Sequence, residues 1–452
     1  MKQAKHFLAL IAVALFTTNA WAQMTFTYSA AATESTLSDG STLVQFAAGT
    51  DLNAAITGVK VNGTAVDAAS VVPNPTETFI TEGEIETFVY DGKAYSFRFL
   101  AGEYFTMVIF SDPHVDTEDI KKNVSAKTAA IAAMGTASGK KFTFSKAPSW
   151  YVPKADIVFC LGDIDANRDI NGKYFKPAVA VFNENSIPFI TLIGNHDIEP
   201  DYYNDDSYGM TSVGKKATET SISIMKESYE TSEELTNGIQ DVKPITDETI
   251  NSGWSEPTQI GQFTFTYKGI RFYCASSYWW QKPYSGTAMG TYIAATYYSA
   301  KGTIDALNTF VGSHTAEPSI WLSHYPFVSE ADQGENKSER WWLDQNYVSS
   351  PKSVLPSGTS QYYTSAAYTT AEGKAVADLK KKTLADIIVK TKNPVHFSGH
   401  SHRNDIIDYT ASDNKTSFTD YTIKPFTEGS DNAYIVLCKE GVGVVEVQRV
   451  TF

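Results

Sequence analysis

The chain has 452 residues, 42% of them apolar, with 51 acidic against 37 basic side chains and a net charge of −14. That length exceeds one small domain and that apolar share supports large cores, so general disorder is excluded and two or three domains are expected. The acidic surplus argues against charge-driven binding of duplex nucleic acid or anionic membranes; an anionic ligand has to be attracted locally, and bound metal is one way to do it.

Residues 1–22 read as a secretory signal peptide. Lys2 and Lys5 give a positive start, Phe7 to Phe16 is an apolar run too short to span a bilayer, and Ala20-Trp21-Ala22 is a small-x-small cleavage signal. Its removal leaves 35 basic residues against 51 acidic, a net charge of −16. The expectation is an exported protein, secreted or periplasmic, with no integral membrane segment. From 23 to about 102 the strands TFTYS, TLVQFA, ITGVKVNG and ETFVYDGKAYSFRFL alternate, with Asn62-Gly63 and Asp91-Gly92 as hairpin signals. A small all-β domain of immunoglobulin-like sandwich type is expected there, with no residue cluster that suggests chemistry.

From Tyr104 the texture changes to buried strands alternating with helices. TMVIF precedes a helix near Glu118 to Met134, and ADIVFCLG precedes another near Phe175 to Asn185, followed by PFITLIG. Further on come a helix at Ile304 to Val311, the strand SIWLS, a helix at Ala375 to Lys392 and the strand VHFSG. The tail reads as a hairpin turning at Glu440-Gly441. Apolar runs of this length between helices are strands covered on both faces, an α/β or layered architecture over 103–452. Two long segments, about 198–300 and 329–372, read as insertions, and their aromatic clusters (Tyr278, Trp279, Trp280 and Tyr284; Trp341, Trp342 and Tyr347) suit either loop packing or a pocket wall. Cys160, Cys274 and Cys438 each lie in an apolar strand-like run, which reads as buried thiols, with one disulfide still open.

Five short motifs begin where buried strands end. They are Ser111-Asp112-Pro113-His114, Gly162-Asp163-Ile164-Asp165, Gly194-Asn195-His196-Asp197, His324-Tyr325-Pro326 and Gly399-His400-Ser401-His402, and they hold five of the eight histidines. In layered sheets, sites form in the loops beyond the carboxyl ends of strands. The residue types suit divalent metal. One carboxylate can bridge two cations while imidazoles and an amide oxygen complete each shell without excess negative charge. Such a pair clamps phosphate oxygens, lowers the pKa of a shared water and stabilises charge during in-line displacement. Mixed N/O ligation without thiolate leaves zinc, manganese, iron or cobalt open.

The set D-x-H, G-D, G-N-H-D, a single His and G-H-x-H resembles the calcineurin-like metallophosphoesterase superfamily over about Tyr104 to Phe452. The resemblance implies a layered α-β-β-α sandwich with a two-metal centre at one edge. It implies that Asp112, His114, Asp163 and His402 hold one metal, and that Asp163, Asn195, His324 and His400 hold the other, with Asp163 bridging. His196, not needed as a ligand, would face the leaving group, and Asp197 would orient it. Purple acid phosphatases carry a tyrosine ligand where this chain has Ala166, and a non-histidine where it has His114, which argues against an iron tyrosinate centre. His114 and the GHSH end favour a phosphodiesterase acting on a small-molecule, lipid or nucleotide phosphate ester. A phosphomonoesterase, or an exported binding protein that keeps the fold without turnover, are the alternatives, and oligomeric state is open.

Overall fold

The computed structural model describes residues 23–164, 172–194, 197, 223–233, 238–244, 262–275, 301–324, 386–410 and 417–452. The chain divides into two compact units, Met1–Ala101 and Gly102–Phe452. In the first, β1 (Met24–Tyr28), β4 (Ile56–Val61) and β5 (Thr64–Val66) form a three-stranded sheet in the order β1-β4-β5. A four-stranded sheet runs β2-β3-β7-β6, from β2 (Ala32–Thr36), β3 (Thr42–Phe46), β6 (Glu86–Tyr90) and β7 (Lys93–Ala101). Alternate residues of both sheets, among them Phe26, Val44, Val59, Phe88 and Phe97, meet in one core. The two hairpin signals are turns with both residues at positive φ: Asn62 at 50° and Gly63 at 78°, Asp91 at 49° and Gly92 at 71°. Asx-Gly pairs tolerate that geometry, and its twist matches the flanking strands.

The second unit holds two larger sheets. The five-stranded one runs β10-β9-β8-β18-β19, built from β8 (Tyr104–Phe110), β9 (Ile157–Cys160), β10 (Phe189–Thr191), β18 (Ala433–Lys439) and β19 (Gly443–Val450). Strands β8, β9 and β10 are parallel, and β18 joins β8 antiparallel. Their continuous apolar runs serve two cores at once. Met107 and Ile109 of β8, with Ile157 and Phe159 of β9, face the core shared with the second sheet, whereas Val108, Phe110, Val158 and Cys160 face helices α1 (Glu118–Ala132) and α2 (Phe175–Glu184). Thr117 caps α1, its hydroxyl accepting the Ile120 N–H at 3.3 Å, with Glu118 and Asp119 in the first turn.

The seven-stranded sheet runs β11-β12-β13-β14-β15-β17-β16. Its members are β11 (Ile239–Pro244), β12 (Gln262–Tyr267), β13 (Ile270–Ala275), β14 (Pro318–Ser323), β15 (Lys392–Ser398), β16 (Ile406–Thr410) and β17 (Ser417–Thr422). Strands β13, β14, β15 and β17 are parallel, so their carboxyl ends share one edge. Two further helices are α3 (223–233) and α4 (Lys301–Gly312). Helix α3 covers the edge of β10: the Ser232 hydroxyl accepts the Phe189 N–H at 3.0 Å and donates to its carbonyl at 2.8 Å, and the Ser228 hydroxyl accepts the Thr191 N–H at 3.1 Å.

Several elements differ from the sequence reading. Residues 239–275 lie inside the stretch read as a first insertion, yet they supply β11, β12 and β13 of the sheet. The helix read at Ala375 to Lys392 is helical at 386–388, and Lys392 already belongs to β15; its earlier part lies outside the described residues. The turn at Glu440-Gly441 joins β18 to β19 as read. The three cysteines are free and buried, and burial pushes their thiols up. Among the described residues, no helix is long and apolar enough to cross a membrane. The two aromatic clusters lie outside the described residues, as do Asn195, His196 and Ala166.

Candidate metal centre

Parallel pairing puts the loops after β8, β9 and β10 at one edge of their sheet, and the loops after β14 and β15 at one edge of the other. Backbone hydrogen bonds then hold these loops together. Asp112 N–H donates to Gly162 O at 3.1 Å, His114 N–H to Asp163 O at 3.0 Å, and Gly399 N–H to His324 O at 2.9 Å. The two sheets meet where the His400 N–H donates to Asp112 Oδ2 at 3.0 Å. The segment after β17 adds a strap: Ile423 N–H reaches Ser398 O, and Phe426 N–H reaches Ser111 O, both at 2.9 Å. No local sequence signal announces that strap, because both its partners are distant in the chain.

Two groups of ligating atoms result, Asp112 with His114 and His402, and Asp163 with His324 and His400, each within 4.8 Å. In the first, His402 Nε2 lies 3.3 Å and His114 Nε2 4.0 Å from Asp112 Oδ1. In the second, His324 Nε2 lies 3.3 Å from Asp163 Oδ2, and His114 Nε2 of the first group lies 3.8 Å from that same oxygen. Asp163 therefore faces both groups, as a bridging carboxylate must. Six of the seven residues read as metal ligands come together here, and Asn195 is outside the described residues.

The donor set fits divalent metal. Asp112 and Asp163 are 0% and 1% exposed, a burial that isolated carboxylates do not accept without compensating positive charge. Burial opposes ionisation of Asp112, yet the His402 hydrogen bond and the His324 charge hold it below the usual carboxylate range. Burial likewise opposes charge on His324, but Asp163 beside it raises the imidazole to about 9. The hydrogen bond to Asp112 raises His402, while burial and the His324 charge push His400 down to about 3. A field that draws protons onto imidazoles also draws cations. His324 is oriented for ligation: with its Nδ1–H donated to Leu161 O at 3.0 Å, Nε2 is the nitrogen turned toward Asp163, where a cation would take the place of its proton.

Strained backbone marks the same residues. Asp112, His114, Asp163, His400 and His402 all have positive φ, between 41° and 62°. Non-glycine residues rarely adopt that region, and such strain concentrates at functional sites. Close approach explains two glycines. A Cβ at Gly194 would collide with the Asp163 side chain and backbone nitrogen, and one at Gly399 would collide with Ser111 and Asp112. Asp197, read from the sequence as orienting His196, is buried, and its described hydrogen bonds go to backbone. Oδ1 accepts the Ile164 N–H at 2.9 Å and Oδ2 the Gly194 N–H at 2.7 Å, tying the loop after β9 to the loop after β10.

The pattern of the calcineurin-like phosphoesterase family matches residues 105–404, two thirds of the chain, and the chain belongs to that family. It is thus a phosphoester hydrolase with a layered metallophosphoesterase fold; the family implies a binuclear metal centre, and the two side-chain groups are the candidates to hold it. No curated protein matches the chain. Among solved structures, a dimetal phosphatase from Danio rerio is similar at 12% identity and a TM-score of 0.40, covering 77% of this chain and 99% of that one. A purple acid phosphatase from yellow lupin (Lupinus luteus) seeds shows 12% identity and a TM-score of 0.35, with 82% and 60% covered. The GAP50 anchor of the Plasmodium inner membrane complex shows 10% identity and a TM-score of 0.31, with 77% and 89% covered. Likenesses this distant carry no weight; the family rests on the matched segment.

Proposed function

We propose that this family member is an exported phosphodiesterase of small-molecule, lipid or nucleotide phosphate esters. The observation that supports it most is His114, whose Nε2 lies 3.8 Å from the bridging Asp163, at the motif position that favours the diesterase branch. The GHSH sequence at 399–402 points the same way, and the signal-like residues 1–22 support export. Two divalent cations bound there would supply Lewis-acid charge for the phosphoryl oxygens and an activated water.

The protein's own residues have three tasks. Asp112, His114, Asp163, His324, His400 and His402 hold the cations, with Asn195 proposed as the remaining ligand. Asp197 keeps the loops after β9 and β10 in register through the Ile164 and Gly194 N–H groups. His196, next to Asn195 in the sequence, donates a proton to the departing oxygen.

The test compares bis-p-nitrophenyl phosphate with p-nitrophenyl phosphate, with added manganese or zinc and after chelation. Faster, chelator-sensitive turnover of the diester is expected. A monoester preference would overturn the diesterase reading, and no chelator-sensitive turnover of either would overturn the hydrolytic one. His196→Gln is expected to keep both metals and to lose about 10²-fold on an alkyl ester but clearly less on the aryl ester, whose leaving group needs no proton. Equal losses on both would remove His196 as the acid.

A further inference from the structure

Behind the metal centre lies a second polar cluster that the reaction does not use. His396 on β15 is the direct cross-strand partner of Asp420 on β17. Its Nδ1 lies 2.7 Å from Asp420 Oδ1, and its Nε2 lies 2.8 Å from Ser323 Oγ at the end of β14. Ser398 Oγ also donates to Asp420 Oδ1, at 3.4 Å, and lies 3.3 Å from Thr422 Oγ1. Ser323, Ser398, Asp420 and Thr422 are 0% exposed and His396 is 1% exposed. With Nδ1 turned to Asp420, the opposite ring nitrogen Nε2 is the one that meets the Ser323 hydroxyl.

A serine, a histidine and an aspartate so connected resemble a nucleophilic triad, but the closed burial of Ser323 denies any substrate access. The placement suggests another task. Ser323 directly precedes His324, and Ser398 stands two residues before His400. The network thus spans the ends of the two strands that deliver both histidines of the Asp163 group. Apolar side chains would fill these positions in a sheet at no desolvation cost, whereas a buried polar network is stabilising only when every member is partnered, and it then fixes one geometry. Asp420, which anchors it, lies beyond the matched family segment 105–404.

We propose that Ser323, His396 and Asp420 form a positioning network that sets the separation of His324 and His400, and through it the affinity of the metal position these share with Asp163. This rests on the two-metal reading above. The test titrates the full-length protein with zinc and with manganese against a competing chelator, after melting curves have shown each variant folded. His396→Phe and Asp420→Leu are expected to weaken one of the two metals by about 10-fold or more and to leave the other near wild type, the range seen for groups that orient ligands. Asp420→Asn, which still accepts the Nδ1–H, is expected to restore most of that loss. Ser323→Ala, the smallest change, covers the case in which the larger ones do not fold, and it should weaken the same metal several-fold. Lower melting temperatures with wild-type affinity at both positions would make the network purely structural and overturn the inference, as would equal loss of both metals. A wild-type protein that binds no metal would overturn the two-metal reading as well, which separates the two failures.

Discussion

Asp163 has imidazole nitrogens from two different groups facing one of its oxygens, His324 at 3.3 Å and His114 at 3.8 Å. Removing that carboxylate takes a proposed ligand from both metal positions. Asp163→Ala is therefore expected to abolish binding of both metals, while His402→Ala, which touches the Asp112 group alone, should weaken mainly one. Elemental analysis of the purified variants decides this, and equal metal content in wild type and Asp163→Ala would refute the bridge. Which residues are candidate ligands was legible at this scale, because Asp and His recurring after apolar runs is a pattern of residue types. The strained backbone was not legible. Positive φ is uncommon in any non-glycine residue, even in the enriched types Asn, Asp and His, so residue type alone does not show that His114, His400 and His402 adopt it.

At the scale of elements, each proposed ligand sits one to four residues beyond a strand, and the loops are packed so closely that Gly162, Gly194 and Gly399 admit no side chain beyond hydrogen. Gly194→Ala would press a methyl against Asp163 on both its side chain and its backbone nitrogen. Its neighbour is fixed by a backbone hydrogen bond to His114, so the strain has no soft outlet. The expected outcome is a cost of about 1–3 kcal/mol, as for other overpacked sites, together with weaker metal binding. A melting curve within a degree of wild type and unchanged metal content would show that the loop gives way. Strands covered on both faces were readable as apolar runs, and the Asx-Gly turns as hairpins. Strands β11 to β13 were harder: QFTFTY alternates as a strand does, but these short runs sit among long polar, aromatic-rich segments that read together as one insertion. Their membership in the sheet comes from pairing with β14, whose partner residues lie some tens of positions away.

For the whole molecule, the division at Ala101/Gly102 leaves every proposed ligand in the second unit. A fragment beginning at Gly102 is expected to stay folded and to bind two metals, since the cores of that unit are built from its own residues. A soluble, folded fragment without metal would mean that the first unit contributes to the site. The acidic balance belongs to this scale too. With a net charge of −14, the protein's general field repels phosphate esters, so cations held by the two side-chain groups would concentrate the attraction at one edge of the sheets.

The sequence by itself determined the layered α/β class, the β-rich first unit and the candidate metal-binding side chains, because these depend on periodicity and on residue type near strand ends. The tertiary structure brings those side chains into the two groups that the family resemblance implied, with Asp163 facing both, and it alone decided that Asp197 ties two loops and that Ser323, His396 and Asp420 join behind His324. Each of these depends on contacts between residues far apart in the chain: the hydrogen bond from His400 to Asp112 spans 288 positions. No local pattern encodes such a meeting. It exists because burying both sheets against one shared core brings their carboxyl edges together.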